Sequence, residues 1–402
     1  MPPAFRLPLA LVCAAACAAL PSPAGSTAQQ QSTAQSPAAF EALLARYDQA
    51  SAADKDKLAA EVDAAAHQKY ATVSRLYWYT KLTDAKTAAK ASDKPILHLR
   101  MLGRLDEDLS CANSRLFRAT LYSNQEVSAY LRDHFVLYWS SERPVPKVTI
   151  DYGDGRKIER TTTGNSAHYV MDADGYVLDV LPGLYAPATF RKELTEAVAL
   201  AGTLHDKSDA ERGKLVAAFQ DATRKQALAL ENRGQIRRDG VEIPVTVTMR
   251  TVGKGAMEIP DLEKFAPETV EMAWSENAIA TRVERARRVF DLDATRVLDA
   301  SSLALVKQIY TAVPTILSSQ ERTGQMLARL QRAIVADTVL NEQDLRPTIS
   351  AEIVRRGGRV DFETLNAFVY AKVFLTPATD AWLGLLPRTD FTGLPGDGVV
   401  MR

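Results

Sequence analysis

KPILHLRMLGRLDEDLSCANSRLFRATLY, residues 94–122, is the stretch that decides the fold of this chain. An apolar run at residues 95–102 predicts a buried strand, and the polar residues 103–109 predict a loop. A helix is predicted to begin near Ser110 or Cys111. This order places Cys111 at or near a helix N-terminus, where backbone N–H groups and the helix dipole favour a thiolate.

The composition is that of an ordinary globular protein. The chain has 402 residues, of which 46% are hydrophobic and 24% are charged, and its net charge is +0. This length is sufficient for two or three domains with cores of their own. Because the charges balance, we expect no nucleic-acid partner and no attraction to an anionic membrane surface.

Residues 1–28 are predicted to be a secretory signal peptide. Arg6 gives a short basic start, residues 7–20 are apolar but too short to span a bilayer, and residues 22–28 are small and turn-forming. No later segment is long and apolar enough to be a membrane helix. We therefore expect an exported protein, periplasmic or extracellular, without a membrane span.

The cysteine content of the mature chain follows from this cleavage. Cys13 and Cys17 lie within the predicted signal peptide and raise the alternative of a lipoprotein anchor, but neither follows the Leu-small-small pattern of such signals. With both removed, Cys111 is alone and can form no intrachain disulfide. A lone cysteine in an exported protein is a reactive thiol, an intermolecular partner or a buried bystander.

Residues 29–75 are predicted to form a polar linker followed by a helical hairpin. The linker is low in complexity. The first helix has Ser36 as its N-cap and Pro37 at its first position, and Ser51 with Asp54 opens the second helix.

Residues 76–203 alternate between helical and strand patterns. A Trp-containing lead-in and an alanine-rich helix precede the strand at residues 95–102, and the helix that begins at the cysteine runs to about Tyr122. A helix from Asn124, a strand at 135–139, hairpins at 148–162 and 167–180, and a closing helix from Pro187 follow.

In this order of elements, the segment resembles exported bacterial thioredoxin-like proteins. The residues that carry the resemblance are Lys94-Pro95, Cys111, Asn124-Gln125-Glu126-Val127, Phe135-Val136, Tyr169-Val170-Met171-Asp172-Ala173-Asp174-Gly175 and Leu181-Pro182-Gly183-Leu184-Tyr185. The resemblance implies an α/β fold, in which a thioredoxin-like domain at 76–203 follows the N-terminal helical hairpin.

Beyond residue 203 the resemblance ends, and residues 204–402 are predicted to form a mainly α-helical C-terminal region. Alternation at residues 241–249 predicts one strand, with Pro244 marking an edge or a bulge. Helices are predicted at 206–232, 261–288, 301–312, 318–340 and 362–374, with Asp361 capping the last, before a Pro- and Gly-rich tail.

The sequence Cys111-Ala112-Asn113-Ser114 lies where thioredoxin-like oxidoreductases carry Cys-x-x-Cys. The resemblance implies that Cys111 is the nucleophile and that Ser114 donates a hydrogen bond to its thiolate. A Cys-x-x-Ser site attacks a disulfide but needs an external thiol to resolve the mixed disulfide. By the same resemblance, Asn165, Ser166 and His168 line the substrate edge.

Two departures from the family pattern concern the substrate side of this site. The family carries a cis-proline just before the strand that faces the cysteine, whereas residues 164–168 contain no proline. The long loop at 103–109 replaces the family's short Trp-containing approach to the cysteine. Both changes argue against the binding of peptide disulfides at this edge.

Charges close to the cysteine in sequence oppose one another. Positive side chains, which favour a thiolate, and acidic side chains, which disfavour it, lie in the same short stretch around the cysteine. These are Arg104, Arg115 and Arg118 on one side and Asp106, Glu107 and Asp108 on the other.

Other kinds of site find little support in the spacing of residues. His168 beside the cysteine would suggest a Cys–His nucleophile, although a histidine in an alternating strand is commonly structural. The other four histidines show no metal-ligand spacing, the Asp-Gly pairs lack the EF-hand pattern, and no glycine cluster has phosphate-loop spacing. We expect no metal and no cofactor.

Two hypotheses about function follow. The first is an exported thioredoxin-like protein with one reactive thiol, which exchanges disulfides with envelope proteins or small thiols. The second is a redox-silent thioredoxin-fold scaffold, in which Cys111 is a small buried residue and the protein mediates protein–protein interaction in the cell envelope.

Overall fold

The computed structural model describes residues 36–161, 165–233, 237–238, 241–242, 276–311 and 320–379. The strands in chain order are β1 Ile96–Leu102, β2 Val136–Arg143, β3 Lys147–Asp151, β4 Lys157–Thr161, β5 Ala167–Met171, β6 Val177–Pro182, β7 Arg237–Arg238 and β8 Val241–Glu242. The helices are α1 Pro37–Gln49, α2 Ala52–Ala66, α3 Ala71–Ser74, α4 Leu82–Ser92, α5 Ala112–Leu116, α6 Gln125–His134, α7 Pro187–Gly202, α8 Asp209–Arg233, α9 Glu276–Val289, α10 Ala300–Thr311, α11 Gln320–Leu340, α12 Arg346–Arg355 and α13 Phe362–Phe368. π-Helical segments follow α5, α11 and α13 without a break, at Phe117–Leu121, Asn341–Leu345 and Val369–Val373.

Several predicted segments lie wholly or partly outside the described residues. These are the signal peptide at 1–28, the linker up to residue 35 and the tail after residue 379. Of the predicted strand at 241–249 only Val241–Glu242 is described, and the predicted helix at 261–288 is described from Glu276.

The first two helices pack against each other as a pair. The Ser36 side chain accepts a hydrogen bond from the Ala39 N–H at 3.2 Å, which confirms the predicted N-cap of α1. Phe40 and Leu44 of α1 are buried against Val62 and Ala66 of α2. This apolar contact lets two short helices hold together where neither would be stable alone in water.

A buried glutamine connects this helical pair to the sheet. Gln68 accepts a hydrogen bond from the Trp78 indole N–H at 2.6 Å and donates one to Ser74 Oγ at 2.8 Å. The Trp139 indole of β2 donates to the His67 carbonyl at 2.9 Å. Both indoles therefore satisfy their one polar group while their rings fill the core.

The central sheet is mixed, with the strand order β2-β1-β5-β6. β1 and β2 are parallel, while β5 is antiparallel to both β1 and β6. The parallel pair needs a crossover, which α5 and α6 supply, whereas β5 and β6 follow each other through a tight turn at Gly175. Every residue of β5 and β6 is buried, as expected for strands covered on both faces. The chain is thus a mixed α/β protein.

The C-terminal helices belong to the same hydrophobic core as the sheet. The Phe362 ring of α13 lies 4.2 Å from the His98 ring and 4.9 Å from the Tyr169 ring, centroid to centroid. The Tyr169 hydroxyl donates to Asn366 Oδ1 at 3.1 Å. Asp361 caps α13 by accepting from the Thr364 N–H, as predicted. In the described part of the chain after residue 203, the elements are helices apart from the short β7–β8 pair.

Helix α12 was not among the predicted helices. Its sequence contains several β-branched residues, which lower helix propensity, and Pro347, which is tolerated in the first turn but usually marks a break in a sequence pattern. Ile349 and Ile353, four residues apart, are both buried in the core. Burial of this face outweighs the local preference, which a single sequence does not reveal.

A buried arginine ties α12 to the sheet and to α7. Arg346, with a side chain 1% exposed, donates to Asp179 Oδ2 of β6 at 2.6 Å and forms an ion pair with Glu193 of α7. Glu342, one helical turn earlier, lies 3.3 Å from the same guanidinium. Three carboxyl groups thus surround one guanidinium in the interior.

The carboxyl groups in this cluster respond differently to their surroundings. Burial, together with the neighbouring Glu193 and Asp179, raises the pKa of Glu342 to about 7 although Arg346 opposes the shift. Although burial opposes it, the charges of Arg346 and Lys192 lower the pKa of Glu193. Glu342 is therefore the member of the cluster that changes charge near neutral pH.

Replacing Glu342 with Gln is expected to flatten the pH dependence of stability. The folded protein binds this proton up to about pH 7, whereas the unfolded chain releases it near pH 4.5. Wild-type stability therefore falls as the pH rises through this window. Urea unfolding should give the Glu342→Gln chain an advantage of about 1–3 kcal/mol at pH 8 and almost none at pH 4. Glu41→Gln on the exposed face of α1 is the control, and equal effects at both pH values would contradict the assignment.

Candidate functional site

Cys111 joins the end of β1 to the start of α5. Its backbone is extended, at φ −60° and ψ 154°, and its side chain is 0% exposed. The Cys111 N–H donates to the Leu102 carbonyl at 3.1 Å, and its own carbonyl accepts from the Arg115 N–H at 3.2 Å. The predicted position at the helix N-terminus is confirmed, but the residue lies in the interior.

Hydroxyl groups surround the sulfur. The Cys111 thiol points at Ser114 Oγ, 3.4 Å away, and at Ser166 Oγ, 3.8 Å away. Ser114 Oγ also lies 2.8 Å from the Cys111 carbonyl and 2.7 Å from Ser110 Oγ. Because a serine has a single hydroxyl proton, the carbonyl and Ser110 compete with the sulfur for it. Ser114 is thus adjacent to the thiol and accepts a hydrogen bond from it, whereas the donation by Ser114 to a thiolate stays a prediction.

The arginines predicted to favour a thiolate hold the loop before the cysteine. The buried Arg118 guanidinium donates to the carbonyls of Leu105 and Glu107, at 2.8 and 2.6 Å, and burial lowers its pKa. Arg115 donates to the Ser110 carbonyl at 3.1 Å. Arg104 pairs with Asp106 at the surface. These contacts fix the path of residues 103–110 across the end of the sheet.

His168 pairs with a tyrosine. Its Nε2 lies 2.6 Å from the Tyr122 hydroxyl, and its ring packs between Phe117 and Phe190, at centroid distances of 4.7 and 4.9 Å. Burial lowers the pKa of His168 to about 3, so the imidazole is neutral at physiological pH. Burial, with a contribution from Cys111, raises the pKa of Tyr122 well above its usual value. The pair is a neutral hydrogen bond inside the core.

The predicted substrate edge is covered by the chain's own C-terminal segment. Asn165 Nδ2 donates to Thr376 Oγ1 at 3.0 Å, and the Asn165 carbonyl accepts from the Tyr370 hydroxyl at 3.2 Å. Arg143 of β2 donates to the Thr376 carbonyl at 2.6 Å. Ser166 uses its own carbonyl to accept from the Gly183 N–H. Asn165 and Ser166 are therefore engaged within the protein.

The structure brings the five predicted site residues into one buried region. All of them are 0% exposed: Cys111, Ser114, Asn165, Ser166 and His168. Three further members of the region, Tyr122, Tyr370 and Thr376, were not predicted. Tyr122 gives the signal of an ordinary core aromatic at the end of a helix. Thr376 lies in a tail whose local pattern indicates only a loop.

Two unpaired polar atoms lie in this region. His168 Nδ1 and Asn165 Oδ1 are buried and have no hydrogen-bond partner among the described residues. Buried polar atoms without partners are rare, since each loses its hydration without replacement. Together with the serines they make the surroundings of Cys111 more polar than those of a cysteine in an aliphatic core.

Other kinds of site are not found within the described ranges. No group of three His, Cys, Asp or Glu side chains there has the geometry to hold a metal ion. No described helix combines the length and hydrophobicity that crossing a membrane requires.

The chain matches no protein-family model, no curated protein and no solved structure.

Removing the Tyr122 hydroxyl is expected to destabilise the fold. A Tyr122→Phe chain keeps the ring but leaves His168 Nε2 unpaired in the core, which costs about 1–3 kcal/mol. Urea unfolding at pH 7 measures the loss. Tyr152→Phe is the matched control because its side chain is 49% exposed, so that water can solvate the hydroxyl. Equal stability of the two variants would show that the Tyr122–His168 bond is of little consequence.

Proposed function

We propose that residues 76–203 form a thioredoxin-like domain that serves as a redox-silent scaffold for protein–protein interaction in the cell envelope. The fold part of the proposal is supported by the strand order β2-β1-β5-β6, with one parallel pair followed by two antiparallel pairs. This order is the one expected of a thioredoxin-like sheet. The crossover through α5 and α6 and the closing α7 come at the expected points in the chain.

The burial of Cys111 carries the functional part of the proposal. Thiol–disulfide exchange requires the sulfur to approach a substrate disulfide in line, and the Cys111 side chain is 0% exposed. The sulfur contacts Ser114 and Ser166 of the same chain. In this role the cysteine is a small polarizable core residue that fixes the junction of β1 and α5.

The C-terminal segment supports the same interpretation. Tyr370 and Thr376 hold Asn165 at the edge where a thioredoxin-like enzyme would bind its substrate. Burial and the neighbouring Tyr169 and Cys111 raise the pKa of Tyr370, as expected for a ring that lies close to the thiol. A site filled by the chain's own residues is suited to a rigid platform rather than to substrate exchange.

The envelope location in this proposal rests on the predicted signal peptide. Residues 1–28 have the basic start, apolar stretch and small-residue end of an export signal. The mature protein would then act in the periplasm or outside the cell. Lipid anchoring through Cys13 or Cys17 is the less favoured form of the same location.

A second candidate function, monothiol exchange, is favoured by the polar surroundings of the sulfur. Two hydroxyl groups lie near Cys111, and Asn165 Oδ1 and His168 Nδ1 are unpaired among the described residues. In this function the C-terminal segment moves aside, and the Cys111 thiolate attacks one sulfur of a disulfide and expels the other as a thiolate. An external thiol, after losing its proton, then attacks the mixed disulfide and releases Cys111 as a thiolate.

Alkylation of the native protein separates the two functions. For a scaffold, we expect iodoacetamide to modify Cys111 at least about a hundredfold more slowly than free cysteine, with the difference lost in urea. A chain with Cys111→Ser gives the background rate. Native labelling as fast as that of free cysteine, with mixed-disulfide formation from oxidised glutathione, would instead establish monothiol exchange.

A genomic Cys111→Ser replacement should leave the phenotype of the organism unchanged for a scaffold, whereas deletion of the whole protein should alter it.

The cover over the thiol can be tested separately. A Tyr370→Phe/Thr376→Val chain loses both hydrogen bonds to Asn165, and opening of the segment should become easier by about 1–2 kcal/mol. We expect native labelling of Cys111 to accelerate about tenfold. Tyr310→Phe on the exposed face of α10 is the control. An unchanged rate would mean that the packing around α5, and not the C-terminal segment, excludes the reagent.

A further inference from the structure

The β3–β4 hairpin projects from the end of the sheet beside the cysteine loop. At its base, Thr161 is buried and its hydroxyl donates to the Ser110 carbonyl at 3.1 Å. At its tip, Tyr152 is 49% exposed and lies under the Arg156 guanidinium. Within the described residues the two strands pair only with each other. An isolated two-stranded ladder of this kind is marginally stable in water.

One face of the hairpin is largely apolar. In the cross-strand register Ile150 lies opposite Ile158, and Val148 lies on the same face, opposite Arg160. These four side chains are half-buried. The other face carries the exposed side chains Lys147, Thr149, Asp151, Lys157 and Glu159. The hairpin therefore has one largely apolar, half-buried face and a strand edge that no described strand covers.

The sequence of β3 is complementary to itself in the antiparallel direction. When two copies of Lys147–Asp151 are paired about a twofold axis at Thr149, Lys147 lies opposite Asp151 of the second copy. Val148 then lies opposite Ile150, and the two Thr149 side chains face each other. Each cross-strand pair is of a favourable type: opposite charges, two β-branched apolar residues, or two threonines.

The other edge of the hairpin lacks this property. Pairing two copies of Lys157–Thr161 about their centre would set Glu159 against Glu159 of the second copy. Like charges directly opposite each other destabilise a ladder. It would also bring Thr161, which is committed to the cysteine loop at the hairpin base, into the interface. The charge pattern therefore favours self-pairing of two copies through β3 rather than through β4.

We propose that β3 is a self-association edge, through which two copies of this chain form a four-stranded antiparallel sheet in the order β4-β3-β3-β4. A twofold axis makes the interface isologous, so that both charge pairs form at once. The two apolar faces join into one surface of Val148, Ile150 and Ile158 from each copy. Backbone hydrogen bonds between the paired edges give affinity, and the side-chain register gives specificity for the second copy. This inference does not depend on the redox state of Cys111.

Charge exchange across the axis tests the register. We expect the purified chain to show a monomer–dimer equilibrium in sedimentation velocity runs over a range of concentrations. Lys147→Asp should weaken the dimer about tenfold or more, because two attractive pairs become repulsive. Asp151→Lys should weaken the dimer further, because it also replaces the 3.0 Å ion pair between Asp151 and Lys157 within the hairpin by two opposed lysines. An equimolar mixture of the two variants should associate at least about tenfold more tightly than either variant alone, because each cross-strand pair across the axis then joins an aspartate of one copy to a lysine of the other.

Controls separate this outcome from misfolding or from a different partner. Lys57→Asp makes the same charge change on the exposed surface of α2 and should not alter association. Circular dichroism of each variant checks the fold, and recovery in the mixture is itself a result that misfolded chains do not give. A wild-type chain that remains monomeric at every concentration overturns the proposal and leaves a heterologous strand as the occupant of β3. A dimer that Lys147→Asp leaves intact, or a mixture that fails to recover, also overturns it.

Discussion

A guanidinium removed from water needs acceptors for its N–H groups, and at Arg346 carboxylates from the sheet and from two helical segments meet this requirement. Arg346 is 1% exposed and reaches Asp179 of β6, Glu193 of α7 and Glu342. Removing the guanidinium would leave Asp179 and Glu193 without their counter-charge in the interior, at a cost of about 3–5 kcal/mol. One side chain therefore links the last strand of the central sheet, the helix that follows it and the start of α12.

The surroundings of Cys111 follow the same rule with neutral groups. The loop at residues 103–110 carries backbone carbonyls into the interior, and Arg118 satisfies two of them. Ser114 closes the first turn of the helix, and the Tyr122–His168 bond satisfies two polar atoms between aromatic rings. Hydrogen bonding thus accounts for the polar residues that resemble a catalytic constellation. The unpaired atoms of Asn165 and His168 are the part of the region that packing within the described chain does not explain.

The features that the sequence predicts well are those set by neighbouring residues. The N-caps Ser36, Asn124 and Asp361 bond to N–H groups three residues ahead, and a local pattern is sufficient to find them. The strand at 95–102 and the helix after Cys111 are likewise encoded by hydrophobic runs and a polar loop. The cover over Asn165, by contrast, comes from Tyr370 and Thr376 near the other end of the chain, and α12 depends on the core that receives its isoleucines. Side-chain types at a site can be predicted from one sequence, but what covers them cannot.

The closing contacts of the C-terminal segment have a consequence for how the protein is made. Thr376 binds Asn165 from 211 residues away and Arg143 from 233 residues away, and Phe362 covers rings of β1 and β5. During synthesis the strands of the sheet are complete long before these covering residues leave the ribosome. The sheet then exposes an apolar face that only the end of the chain can shield. Contacts of high sequence separation therefore complete the fold, and such contacts are associated with slow folding.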